Sequence, residues 1–203
     1  MVGALIQRAA QAAEAQPAQK KAVQVSAVGA ETVKAEVKQK PTEMKHLFMM
    51  RHGRSDGMEG IFESDRGILT ARAGEIRQIV GTGSVYIVSS TAPPALASAQ
   101  VMAAALGIGE FEQLPFLWAE REGPREGYYN DSRRSAVMKI IDERKQRAEG
   151  LVIVTHRMLM EEFHPYFMRE GMGRKIKIAG IEADYARAAY YDITKKKFAL
   201  LPK

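Results

Sequence analysis

The sequence predicts a layered α/β domain carried behind an N-terminal tail. From Lys45 onward, short apolar runs of strand length alternate with longer stretches of helical period, the signature of helices packed on a sheet. Residues 1–44 differ: Ala, Gln, Lys, Glu and Val dominate, and no aromatic residue occurs before Phe48, so this segment has little with which to anchor a core. At 203 residues and 46% hydrophobic content the chain suffices for one full-sized core, which is assigned to residues 45–203.

Within the tail, the composition from Leu5 to Ala15 favours helix until Pro17 interrupts it, and Pro41 stands just before the first strongly apolar run. Leu47–Met50 then reads as the first strand. Thr70 is expected to cap a helix with Ala73, Ile76 and Val80 on one face, followed by a strand at Val85–Val88. Pro94 can open the next helix, because proline is tolerated in a first turn, and Leu96, Ala99, Met102 and Leu106 supply its buried side. After a less regular stretch around Trp118, a helix is expected over Ser132–Ala148 with Val137, Ile140 and Ile141 inward. Leu151–Val154 is the third clear strand, and a helix follows through Met160, Phe163 and Phe167. Ala188–Ile193 and Phe198–Leu201 are expected to close the sheet as an edge pair.

Composition excludes several classes. The chain has no cysteine, which removes disulfide chemistry and thiolate metal sites. No apolar run approaches the roughly 20 residues that span a bilayer, and no compact apolar leader with a cleavage site is seen, so a cytoplasmic protein without a membrane partner is expected. Glu14, Glu31, Glu36 and Glu43 speak against a mitochondrial presequence. The net charge of +6 suits an anionic ligand, but 24 acidic residues are interleaved with the basic ones, so the sum is a weak pointer to nucleic acid and a phosphorylated small molecule fits just as well. Arg174 to Lys177 is a short basic cluster without aromatic stacking residues, so nucleic-acid binding ranks third among the function classes. His156, Glu161 and His164 fall on one expected helix but not on one tight face, and no metal or cofactor is called for. Nothing in the sequence speaks to an oligomeric state.

Three apolar strands end in residues able to handle phosphate: Arg51-His52-Gly53-Arg54-Ser55, Ser89-Ser90-Thr91 and Thr155-His156-Arg157. In open α/β sheets the ligand crevice lies outside the carboxyl ends of the strands, so the three turns are expected to converge there.

These residues resemble the histidine phosphatase superfamily, whose hallmark is an Arg-His-Gly triplet after the first strand and a second histidine after a late strand. Here those are Arg51-His52-Gly53 and His156. Leu69-Thr70, where a helix opens in the family, and the Ser89-Ser90 pair add to the likeness, which runs from about Met44 to Lys203. The resemblance implies a three-layer α/β/α sandwich with a mostly parallel central sheet, the phosphoglycerate-mutase-like fold. It also implies a metal-independent phosphomonoester hydrolase acting on a phosphorylated small molecule or a phosphoprotein. His52 would be the nucleophile and become a phosphohistidine, and Arg51 would grip two phosphate oxygens. Gly53 would leave room for the backbone to approach the ligand, and His156 would add a second cationic hydrogen bond. Arg54, Ser55, Ser90, Arg121 and Arg157 are further phosphate-binding candidates. Glu120, in the string Trp118-Ala119-Glu120-Arg121, matches the family's proton donor, with Glu122 as the substitute.

The pattern departs from the family at Pro94, which stands where an arginine normally contacts the phosphate. Arg54, Arg121, Arg125 and Arg157 are the candidates to replace it. Met58 occupies the position of a phosphate-holding asparagine in many members, and Arg157-Met158 replaces a small pair after the second histidine. These departures keep a second expectation open, a degenerate domain that binds a phosphorylated ligand or partner without turnover.

Overall fold

A computed structural model describes residues 43–57, 60–117, 131–174 and 180–202, all within the unit Gln39–Lys203. The elements in chain order are β1 (His46–Arg51), α1 (Glu63–Val80), β2 (Val85–Ser90), α2 (Pro93–Leu106), β3 (Glu112–Leu114), α3 (Asp131–Arg144), β4 (Gly150–Thr155), α4 (Arg157–Glu170), β5 (Ala188–Asp192) and β6 (Lys197–Leu201).

The strands form one six-stranded sheet in the order β3-β2-β4-β1-β5-β6. β3, β2, β4 and β1 run parallel, while β5 is antiparallel to β1 and β6 antiparallel to β5. Alternation along β1 sets the layers, since successive side chains of a strand point to opposite faces. Leu47 and Met49 pack with Val137, Ile140, Phe163 and Phe167 of α3 and α4. Phe48 and Met50 pack with Leu69, Ile76, Ala99 and Met102 of α1 and α2. All four strand residues are fully buried, each contributing about 1.5 to 3 kcal/mol of transfer free energy. The chain is thus a three-layer α/β/α sandwich with a mostly parallel sheet.

Several boundaries differ from expectation for physical reasons. Helix α1 starts at Glu63, a full turn and more before Thr70, whose hydroxyl instead donates to the Arg66 carbonyl within the helix. The start is set from outside: Asp65, in the first turn, is buried and accepts the Arg54 amide at 2.6 Å. α3 ends at Arg144 rather than Ala148. Arg144 there turns back onto Glu112 of β3, with Nε at 2.8 Å. β3 itself, three residues long, was too short to show as an alternating run. Met44, counted with the tail on composition, is buried in the core, and its amide donates to the Lys145 carbonyl at 2.7 Å.

α2 opens on Pro93 and Pro94 as expected, and Gly107 closes it in the left-handed conformation at φ 72°, where a side chain would be strained. No helix among the described residues is long and apolar enough to cross a membrane.

Candidate functional site

Register brings the histidines together. β1 and β4 pair with Arg51 opposite Thr155, and the His52 amide donates to the Thr155 carbonyl at 3.0 Å. The next residue of each strand therefore emerges at the same level. His52 and His156 stand with ring centroids 4.8 Å apart, edge to face. β2 lies on the other side of β4, with Ser89 opposite Val154, and delivers Ser90, whose Oγ is 3.0 Å from His156 Nε2. The three strand ends converge.

The tautomer of His52 follows from its partner. Its Nδ1 lies 2.6 Å from the Gly53 carbonyl, which can only accept, so Nδ1 carries the proton and Nε2 keeps its lone pair. Burial holds the His52 pKa below its ordinary value, opposed by the Gly53 carbonyl, with Arg51 lowering it further. His156 is lowered to about 4 by burial, by His52 and by Arg51. At neutral pH both rings are neutral; a cationic His156, as expected from the sequence, would require an anion beside it to restore the proton.

Gly53 also carries a packing constraint. Its amide donates to Ser98 Oγ at 2.9 Å, and a Cβ would come within 3.1 Å of Asp65 Cβ and 3.4 Å of Ile61 Cδ1. The need for glycine is close packing on Asp65 and Ile61. Ser98 then donates to the Pro94 carbonyl at 2.6 Å, tying the His52 turn to the start of α2.

Of the expected phosphate ligands, Arg51 and Ser90 sit beside the histidine pair. Arg51 lies half-buried with Nη1 donating to the Ala183 carbonyl at 2.9 Å and its guanidinium carbon 3.4 Å from the centre of the Tyr185 ring. Arg54 is taken by Asp65, with Nη2 at 2.7 Å from Oδ1. Arg157 pairs with Glu161 at 2.7 Å. Ser55 Oγ accepts the Gly57 amide at 3.2 Å within its own turn. Glu120, Arg121, Glu122, Arg125, Met58 and Trp118 lie outside the described residues. His164 is buried with Nδ1 2.9 Å from the Tyr191 hydroxyl, apart from this cluster. Among the described residues no group of three or more metal-ligating side chains gathers.

Sequence reasoning missed Ser98, Asp65 and Tyr185 as members of this neighbourhood. Ser98 sits in an alanine-rich helix, where one hydroxyl carries no signal. Tyr185 comes from the segment between α4 and β5, whose approach to β1 only the fold reveals; its ring centroid is 5.8 Å from that of His52.

No protein-family model matches the chain, and no curated protein matches it in sequence. Solved structures do match. The protein histidine phosphatase SixA complexed with tungstate superposes with a TM-score of 0.54 at 11% identity, over 76% of this chain and 93% of that one. A structure assigned as phosphohistidine phosphatase SixA from Agrobacterium tumefaciens gives 0.51 at 15% identity, over 80% and 97%. A mycobacterial glucosyl-3-phosphoglycerate phosphatase gives 0.50 at 15%, over 77% and 96%. At these identities the likeness establishes the architecture: the chain has the histidine-phosphatase fold.

Proposed function

We propose that this chain is a phosphomonoester hydrolase that works through a phosphohistidine on His52. The observation that carries the reading is the His52–His156 pair, with His52 Nδ1 committed to the Gly53 carbonyl and Nε2 left as the nucleophile. The structural relatives support it, since their names describe phosphatases.

In the proposed reaction His52 Nε2 forms a bond to phosphorus as the ester P–O bond breaks, and the leaving alkoxide takes a proton from Glu120. Water then attacks the phosphohistidine, its proton passing to the same carboxylate, and inorganic phosphate leaves. Arg51, His156 and Ser90 would hold the phosphoryl oxygens, and the charge of the transfer would be met by these groups rather than by a metal. A phosphorylated small molecule or a phosphoprotein is the substrate class.

A panel of phosphomonoesters assayed in chelator tests this. The wild type is expected to turn over at least one of them, and His52→Ala to lose that turnover by about a thousandfold or more. An alanine variant as active as the wild type would exclude the phosphohistidine route.

One observation favours a second reading, a domain that binds a phosphorylated ligand without turnover. α2 begins with two prolines, while Arg54 and Arg157 are paired with carboxylates. Oxyanion binding without hydrolysis of any ester would select it.

A further inference from the structure

Resting on the anion site proposed above, the inference concerns what aims Arg51. An arginine presents five donors in a rigid fork, and a two-oxygen grip needs one whole edge of that fork. Here Nη1 is spent on the Ala183 carbonyl, and Nε is buried without a hydrogen-bond partner among the described residues. The edge that these bonds leave unspent is Nε with Nη2. Tyr185 covers the guanidinium face at 3.4 Å, which fixes the plane, and the Ala183 carbonyl fixes the rotation within it.

Ala183 is itself held. Its amide donates to Glu161 Oε1 at 3.3 Å, so one peptide unit and its neighbour connect α4 to Arg51. The same Glu161 oxygen receives Arg157 Nε at 2.7 Å. That pairing neutralises a carboxylate that would otherwise stand near an incoming phosphate. The segment is fastened at its other end by the Ala186 amide on the His52 carbonyl at 3.3 Å and by Arg72 Nε on the Ala186 carbonyl, also at 3.3 Å. Among the described residues no second guanidinium joins Arg51: Pro94 supplies none, and Arg54 and Arg157 are paired with carboxylates.

We infer that Glu161 is a positioning residue for Arg51: its carboxylate seats the Ala183 peptide, whose carbonyl turns the Nε–Nη2 edge toward the bound oxyanion. Arg157 belongs to this device as the counter-charge of Glu161, not as a phosphate ligand.

Orthovanadate binding measured by calorimetry tests it without requiring turnover. Glu161→Ala is expected to bind at least tenfold more weakly than wild type. Glu161→Gln, whose amide oxygen can still accept from Ala183, should remain within about threefold. In an Arg51→Ala background the Glu161→Ala change should have no further effect, because the two act as one unit. Equal binding by wild type and Glu161→Ala would overturn the inference, as would Gln and Ala variants that are equally weak, or losses that add in the double variant. A Glu161→Ala chain that fails to fold would overturn it too, making the residue structural. A wild type that binds orthovanadate but hydrolyses no ester would defeat the phosphatase reading alone, and these titrations would still decide the role of Glu161. A wild type that does not bind orthovanadate would overturn both.

Discussion

Gly53 and Ser98 show how much of the site is held by single hydrogen bonds. The Ser98 hydroxyl accepts the Gly53 amide and donates to the Pro94 carbonyl, and Ser98 is fully buried. Ser98→Ala would leave the Gly53 N–H without its partner next to His52, a loss of about 1 to 3 kcal/mol. Urea unfolding is expected to show that drop, with orthovanadate affinity reduced alongside. Ser98→Thr, which keeps the hydroxyl, should lose less. Neither Ser98 nor the burial of Asp65 was legible in the sequence: a small polar residue in a helix reads as neutral until the turn that it contacts is brought 45 or 11 residues across the fold. His52 and His156 were legible because each stands one residue beyond an apolar run, so a strand end had to present them.

At the scale of an element, the start of α2 offers the proposed anion site no donor. A helix N-terminus ordinarily offers unpaired N–H groups to an anion. Pro93 and Pro94 remove two of them, and the Ala95 and Leu96 amides are occupied by the Ala92 carbonyl. The element that lies beside Ser90 therefore contributes neither a guanidinium nor a first-turn donor. Pro94→Arg restores both a charge and an N–H while keeping the carbonyl that Ser98 uses. Orthovanadate affinity is expected to rise ten- to a hundredfold, the equivalent of about 1.5 to 3 kcal/mol for a charge-assisted pair, and calorimetric titration measures it. An unchanged affinity would mean that position 94 does not face the anion. The α2 boundary was readable because proline is confined to a first turn. The α1 boundary was not, because Asp65 draws that helix into the Arg54 turn through an ion pair that no local pattern announces.

For the whole molecule, the buried histidines set the response to acid. His164 is 2% exposed and His156 lines the site; burial is the first cause that takes each from 6.5 to about 4. Burial likewise lowers His46 and His52. A folded pKa below the unfolded one means that the unfolded chain binds protons first. The contribution is complete above pH 6.5 and is lost as pH falls toward 4, amounting to about 3 kcal/mol for His164 at full titration. The urea midpoint is expected to fall between pH 7 and pH 4.5, and His164→Phe to flatten that fall; a pH-independent midpoint would contradict it. Apolar runs of strand length marked β1, β2, β4, β5 and β6 by themselves, and helical periodicity marked helices α1 to α4, because a strand covered on both faces is apolar throughout and a helix buries one stripe; three-residue β3 escaped the pattern. The same runs placed Arg51-His52, Ser89-Ser90 and Thr155-His156 at strand ends. Strand order was a tertiary decision: inserting β4 between β1 and β2 depends on long-range pairing that leaves no local trace. That pairing places His156 against both His52 and Ser90, and the fold around it lays Tyr185 over Arg51, whereas Arg157 and Glu161 pair locally, four residues apart on α4. A guanidinium carries the same charge wherever it occurs in a sequence, and which carboxylate, carbonyl or ring comes within about 3 to 4 Å of it is settled only when the chain is folded.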